Sequence, residues 1–153
     1  MSKINSYWDK IMFPMFLSTL NSCTFASYGD VELEQELSSL ALRAIAKFKF
    51  PKIALSYEAD SEGRYYFINE VGHREIAVLV AWMKVFWLEY QLSKERHYEN
   101  LYADKDVKAF SSGNLISSIT KTYNEFYIVA EKTEQEYGRI NKDGKPSLGD
   151  INE

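Results

Sequence analysis

The sequence predicts a mainly α-helical fold, a bundle of about four helices with one β-hairpin insertion and an extended C-terminal tail. Four stretches place apolar residues every three or four positions, which is the spacing of a helix face. Residues 53–68 instead alternate with a period of two around a turn sequence, and residues 139–153 show little period. We therefore divide the chain into a helical domain, residues 1–138, and an extended C-terminal arm, residues 139–153.

Composition favours a single domain that assembles with other proteins. The chain has 153 residues, 46% of them hydrophobic and 15% aromatic, with a formal net charge of -4. A chain of this length can bury a sizeable core. Tyr and Trp are enriched at protein interfaces, so the 11 Tyr and 3 Trp point to assembly. The acidic balance lacks the positive excess of a protein that grips phosphates.

The first two predicted helices precede the hairpin. Trp8 and Met12 share a helical face, and Pro14 then ends, kinks or restarts this helix because proline lacks an N–H donor. The second helix covers about residues 31–48, where Leu and Ala repeat at helical spacing. Asp30 is a good N-cap for it, since its carboxylate can accept a hydrogen bond from the first turn.

A β-hairpin is predicted at residues 53–68. Ile53, Leu55 and Tyr57 alternate with Ala and Ser, "ADSEG" supplies a turn, and "YYFI" resumes the extended character. A two-stranded hairpin alone is only marginally stable in water. It must therefore pack on the helices or pair with another chain.

The third helix, from about Gly72, is apolar around most of its circumference. Only Lys84 and Glu89 interrupt the apolar run from Ile76 to Tyr90, and these two charges argue against a membrane span. Stacking of nucleic acid bases normally needs a positive groove, which this helix lacks. A helix that is apolar nearly all round must be buried nearly all round. The residues predicted to lie in the core or in a subunit interface are Trp82, Met83, Phe86, Trp87 and Tyr90.

A fourth helix is predicted to run to about residue 137, with Ser111 or Ser112 as its cap. Beyond it, two Gly-containing turns and a few isolated apolar residues are typical of an extended arm, free or docked.

No motif predicts catalysis or metal binding. His73 and His97 lie far apart, and neither has a second His or a Cys within a helical turn. "SSGN" lacks both the nucleophile elbow of hydrolases and the lysine of a P-loop. The single Cys23 cannot form an internal disulfide. We expect no enzymatic activity, no metal and no cofactor.

The order of these elements resembles the head-to-tail connector adaptor proteins of tailed bacteriophages, and it is most similar to the ring or neck proteins of crAss-like phages. The two segments that carry the resemblance are "NEVGHREIAVLVAWMKVFWLEYQL", which enters the long central helix, and "DKDVKAFSSGNLISSI", in which an acidic and aromatic segment leads into a helix. Such patterns cover roughly residues 30–137.

The resemblance implies a structural subunit of a homo-oligomeric ring, usually of twelve copies, that joins the portal protein to further neck or tail proteins. Such a subunit is made in the host cytoplasm and resides in the virion neck, between capsid and tail, with DNA only as transient cargo in the channel. The arm would grip the portal through Arg139, Ile140, Pro146, Leu148 and Ile151. The hairpin would contact the next ring through Tyr57, Asp60, Glu62 and Tyr66.

Two alternatives remain open. A small helical regulatory or protein-interaction module would show the same lack of catalytic motifs, but it would be monomeric or dimeric. A helical-bundle enzyme would need a carboxylate or histidine cluster that converges only in the folded structure.

Overall fold

The computed structural model describes residues 6–20, 28–102 and 110–140, with side chains left undescribed at 97–102 and 110–114. Within these residues the protein is mainly helical with one antiparallel β-hairpin, which confirms the predicted fold class. The helices are α1 (Trp8–Ile11), α2 (Phe13–Ser18), α3 (Asp30–Lys47), α4 (His73–Tyr102) and α5 (Phe110–Gly138); the strands are β1 (Tyr57–Ala59) and β2 (Tyr65–Phe67). The arm beyond Ile140 lies outside the described residues.

The N-terminal helix is broken next to Pro14, as predicted. Helix α1 ends at Ile11, and α2 starts at Phe13 with the proline in its first turn. Proline has no N–H for the carbonyl four residues back, and its ring clashes with that carbonyl, whereas the first turn of a new helix tolerates it. Together α1 and α2 bury Trp8, Phe13 and Phe16.

Two predicted caps are corrected by the structure. Gly29 is the N-cap of α3, and Asp30 is already the first helical residue and makes no side-chain cap bond. The backbone N–H of Leu33 donates to the Gly29 carbonyl, so the first turn closes without a side chain. A cap residue keeps a non-helical backbone, but Ser111 and Ser112 lie inside α5, which begins at Phe110.

The hairpin is shorter than predicted. Tyr57 pairs with Phe67, and the ladder ends where the Ile68 N–H donates to the Ser56 carbonyl. After Ile68 the chain turns toward α4, so the residues before Ser56 have no strand beside them. Ile53 and Leu55, which were predicted as strand residues, therefore lie in a non-strand segment, where Leu55 is buried.

Helix α4 is the centre of the molecule. It packs against α3, α5 and α2. The side chains of α4 that are buried lie around most of its circumference: Glu75, Ile76, Val78, Leu79, Val80, Trp82, Met83, Val85 and Trp87. The two charges that interrupt its apolar run stay nearer to solvent. Lys84 is half-buried, and Glu89 is exposed and bonds to Arg43 of α3 at 2.9 Å.

Replacement of Trp82 tests this central burial. The side chain is 1% exposed, so Trp82→Ala is expected to lower the free energy of unfolding by about 3 to 5 kcal/mol through the cavity it leaves. Urea denaturation measures the loss. Phe50, which is 83% exposed, is the matched control, and Phe50→Ala should change stability by less than about 0.5 kcal/mol. Similar losses in both variants would contradict the assignment.

Candidate functional site

The structure divides the residues predicted on the third helix between core and surface. Trp82, Met83 and Trp87 are buried, and they pack within one core cluster that the other helices share. Phe86 is half-buried beneath the Arg43 guanidinium, which lies 4.3 Å from its ring centre. Tyr90 is 40% exposed. Three of the five are thus core residues within a single chain, and Tyr90 remains available to a partner.

The hairpin is held to the helices by Trp8. The Trp8 indole stacks on Tyr65 with ring centres 4.8 Å apart and planes at 17°. It also contacts Phe67 at 5.4 Å and Tyr57 at 5.3 Å. Aromatic pairs of this kind stabilise beyond the area that they bury. A hairpin too small to be stable alone therefore packs on α1, which satisfies the requirement drawn from the sequence.

The hairpin turn is organised by Asp60. Its Oδ1 accepts hydrogen bonds from the backbone N–H groups of Glu62 and Arg64, both at 2.9 Å, and its Oδ2 pairs with the Arg64 guanidinium at 3.2 Å. Gly63 follows with φ of 80°, a left-handed conformation that glycine adopts without strain. The Arg64 backbone hydrogen bond is the main reason that the pKa of the Asp60 carboxyl lies below its ordinary value.

The four residues predicted for hairpin contact differ in how far their side chains are engaged in contacts within the chain. Asp60 is committed to the turn, Tyr57 packs on Trp8, and the Tyr66 hydroxyl donates to Glu58 at 2.8 Å. The Glu62 side chain is 72% exposed beside Arg64. Contact of the hairpin with another ring stays a prediction. Of these four residues, Glu62 at the turn tip has the side chain that is least engaged within the chain.

A cleft of about 390 Å³ opens where the segment before the hairpin, the start of α4 and the end of α5 meet. Its lining residues are Lys52, Ile53, Gly72, His73, Arg74, Glu75, Tyr137 and Ile140. At its floor the buried Tyr137 hydroxyl donates to Glu75 Oε1 at 2.9 Å and accepts from the Lys52 backbone N–H at 2.8 Å. The Lys52 ammonium donates to the Tyr137 carbonyl at 3.1 Å.

This network joins three parts of the chain through one phenol. Burial is the main reason that the pKa of Tyr137 is raised; the Lys52 hydrogen bond opposes the rise, and Glu75 adds to it. The phenol remains protonated at neutral pH and keeps both of its hydrogen bonds. The Tyr137 hydroxyl thus donates one hydrogen bond and accepts another within the chain. We call this network of Lys52, Glu75 and Tyr137 the Tyr137 brace, because it joins α4, α5 and the segment before the hairpin.

Sequence reasoning missed Lys52 and Glu75. A signal for Glu75 exists in the spacing, because it precedes Val78 and Leu79 by three and four positions and both are buried. A carboxylate on the buried stripe of a helix needs a hydrogen-bond donor. The sequence does not reveal that the donor is Tyr137, which is 62 residues away.

Only the start of the predicted portal-gripping arm is described. Arg139 and Ile140 continue the last turn of α5 through backbone hydrogen bonds to Glu136 and Tyr137. Ile140 lines the cleft. The other arm residues of the prediction, Pro146, Leu148 and Ile151, lie outside the described residues.

Two searches of the described residues bear on other classes of function. Among them, no group of three His, Cys, Asp or Glu side chains is placed to hold a metal ion. In the same part of the chain, residues His73–Arg96 are long and apolar enough to cross a membrane by length and composition alone. Within the structure 44% of the 18-residue apolar window in that stretch is buried, and a core helix meets the same criteria.

No family model, no curated protein and no solved structure matches this chain.

The Tyr137 brace can be tested by removing one oxygen. Tyr137→Phe leaves the Lys52 N–H and the Glu75 carboxylate without that partner, and it is expected to cost about 1 to 3 kcal/mol of unfolding free energy in urea denaturation. Tyr66→Phe is the matched control, because the hydroxyl it removes bonds to Glu58 on the exposed side of the hairpin. Equal losses from the two variants would mean that the brace is not a buried network.

The turn carboxylate predicts a pH dependence. The pKa of Asp60 is lower in the folded state than its ordinary value, so its contribution is present above the unfolded pKa of about 4 and is lost as pH falls through the lower folded value. Asp60→Asn keeps the acceptor oxygen but loses the charge. The difference in Tm between parent and variant should therefore be largest near neutral pH and shrink below about pH 4.

Thermal melts between neutral and acidic pH measure this difference. Glu62→Gln is the control, because that side chain is 72% exposed. Loss of its charge should leave only a small difference in Tm from the parent at every pH. If the difference in Tm between the parent and Asp60→Asn does not change with pH, the Asp60 charge does not stabilise the turn.

Proposed function

We propose that this chain is a structural subunit of a phage head-to-tail connector ring, which joins the portal to the tail and continues the DNA channel. The observation that carries the assembly role is that α5 leaves large apolar side chains in solvent although the central helix is already covered. Leu115, Ile128 and Val129 are 44%, 64% and 56% exposed. Ile128 and Val129 are neighbours and form one exposed apolar patch, whereas Leu115 lies about 20 Å along the helix from them. Exposed apolar surface marks protein contacts when it is contiguous. The ring itself is proposed from the resemblance of the sequence.

Charge supports a conduit rather than a nucleic-acid grip. The net charge is -4, and binding along DNA relies on many Lys and Arg contacts to phosphates. A channel wall of this composition lets DNA pass without holding it. The chain as a whole therefore suits transient passage of DNA.

The arm is proposed to grip the portal. Helix α5 ends at Gly138, and the chain leaves it beside the cleft that Ile140 lines. The isolated apolar residues that follow, Leu148 and Ile151, suit an extended segment that orders when it binds. The exposed turn tip of the hairpin is the surface proposed to meet the next neck component.

The oligomeric state separates the connector from the alternative, a non-catalytic helical interaction module. Native mass spectrometry of the chain, alone and mixed with a phage portal protein, measures that state directly. A cyclic assembly that forms alone or on the portal supports the connector. A chain that stays monomeric or dimeric with the portal present contradicts it and favours the module.

Deletion of residues 139–153 tests the arm. Because α5 ends at Gly138, the truncated domain should remain folded with a Tm within a few degrees of the parent, since little core is removed. Binding to the portal should weaken by at least about tenfold, or about 1.4 kcal/mol. Replacing Leu148 and Ile151 by Ser in the full chain should reproduce most of that loss. Unchanged portal affinity would remove this role from the arm.

A further inference from the structure

One face of α5 carries a pattern that the chain itself covers only in part. Its residues are spaced alternately by four and three positions, as in the seam of a coiled coil. We call this set the α5 seam: Leu115, Ile119, Thr122, Phe126, Val129 and Thr133. The seam runs for about 27 Å at 1.5 Å per residue. Leu115 and Val129 are exposed, and the other four are half-buried.

The seam lies at the border between the packed and the solvated sides of α5. On one flank, Ala130 lies in the core and Tyr123 packs against it, and one edge of the seam's own Phe126 packs against the core as well. On the other flank, Glu125 and Lys132 are exposed, and neither makes an ion pair in the part of the chain that the structure describes. The seam thus has an inner flank held by α5's own chain and an outer flank with two unpaired charges of opposite sign.

The two threonines of the seam present apolar groups. The Thr122 hydroxyl donates to the Ser118 carbonyl at 3.0 Å, and the Thr133 hydroxyl donates to the Val129 carbonyl at 2.7 Å. Each hydroxyl is therefore satisfied within its own helix. The γ-methyl groups remain available for packing, so the middle of the seam, from Thr122 to Thr133, can contact another helix without leaving a donor unpaired.

The seam is complementary to itself when a second copy runs antiparallel. A two-fold axis at its middle sets Phe126 of one copy against Val129 of the other, twice, and Thr122 against Thr133, twice. The same register brings the outer flanks together. Glu125, which precedes Phe126, then faces Lys132 of the second copy, and the symmetry makes that ion pair twice.

We propose that the α5 seam is the contact between two copies of this chain in solution, antiparallel and two-fold symmetric. The contact pairs a bulky ring with a smaller branched side chain in both central layers and neutralises both outer charges. The weak layer is the next one outward, where Glu136 falls opposite Ile119 of the second copy. A carboxylate there costs affinity, because its charge must stay hydrated at the edge of an apolar layer.

This dimer goes beyond the connector proposal and does not depend on it. An isologous contact closes at two copies, whereas a cyclic ring joins two different faces of each copy. The dimer therefore describes the free chain, and a ring that uses the exposed Leu115 and Val129 of α5 would displace this contact. Portal mixing tests the ring, and the dissociation constant of the free chain tests the dimer, so the two can fail separately.

The test is a charge reversal within one chain. Glu125→Lys sets lysine against lysine at both outer pairs, and Lys132→Glu sets glutamate against glutamate. Each single change should weaken dimerisation by about tenfold at low ionic strength. The double variant, E125K with K132E, restores opposite charges and should return the dissociation constant to within about threefold of the parent. Sedimentation equilibrium across a concentration series measures it.

Three further variants sharpen the outcome. Lys121→Glu and Glu131→Lys change exposed charges of α5 away from the seam, and they should leave the dissociation constant unchanged. Glu136→Leu replaces the weak layer and should tighten the dimer by about tenfold.

A parent chain that remains monomeric at the highest concentration reached overturns the proposal. So does a double variant that is as weak as the single variants, because a contact between two different faces would not be rescued by a swap within one helix. Thermal melts of every variant, run in parallel, should coincide with the parent, since all substituted side chains are exposed.

Discussion

The burial of α4 is the constraint on which the rest of the structure depends. Its apolar side chains cover most of its circumference, and one neighbouring helix could cover only a single stripe. The protein solves this with α2, α3 and α5 packed around it. Along the apolar stretch, a strip that contains Ala77, Ala81, Lys84 and Leu88 stays open or half-open. The positions of α2, α3 and α5 follow from the burial of the apolar surface of α4.

The remaining elements are attached to that centre by few but specific contacts. Trp8 ties the hairpin to α1 through three aromatic neighbours. Tyr137 ties the end of α5 to the start of α4 and to the segment before the hairpin. Each of these side chains is buried, and a buried polar group without a partner would be costly. The Tyr137 hydroxyl avoids this cost because it donates to Glu75 and accepts from the Lys52 backbone N–H.

Helix α5 buries few of its side chains fully within its own chain. Of its side chains from Leu115 onward, only Ala130 and Tyr137 are buried, although the helix is 29 residues long. A helix that buries so little on its own chain gains stability from a further surface. The α5 seam is the surface that we propose for a second copy, and the arm and the turn tip are the surfaces proposed for other partners.

The sequence by itself determined the elements and the fold class. The period of apolar residues defines the helices and the hairpin, and Pro14 defines the break between α1 and α2, because these are local properties of backbone geometry. It also predicted that the third helix is enclosed. Only the tertiary structure decided which residues enclose it, where the hairpin ladder ends, and that Glu75 meets Tyr137.

Those outcomes depend on contacts between residues far apart in the chain. The cap of α3 shows the limit at short range too: Asp30 has the chemistry of a cap, yet the backbone closes the turn from Gly29. The division between Trp87, which is buried, and Tyr90, which is 40% exposed, could not be read from spacing. Both lie on an apolar helix, and exposure is decided by how far the neighbouring helices extend beside it.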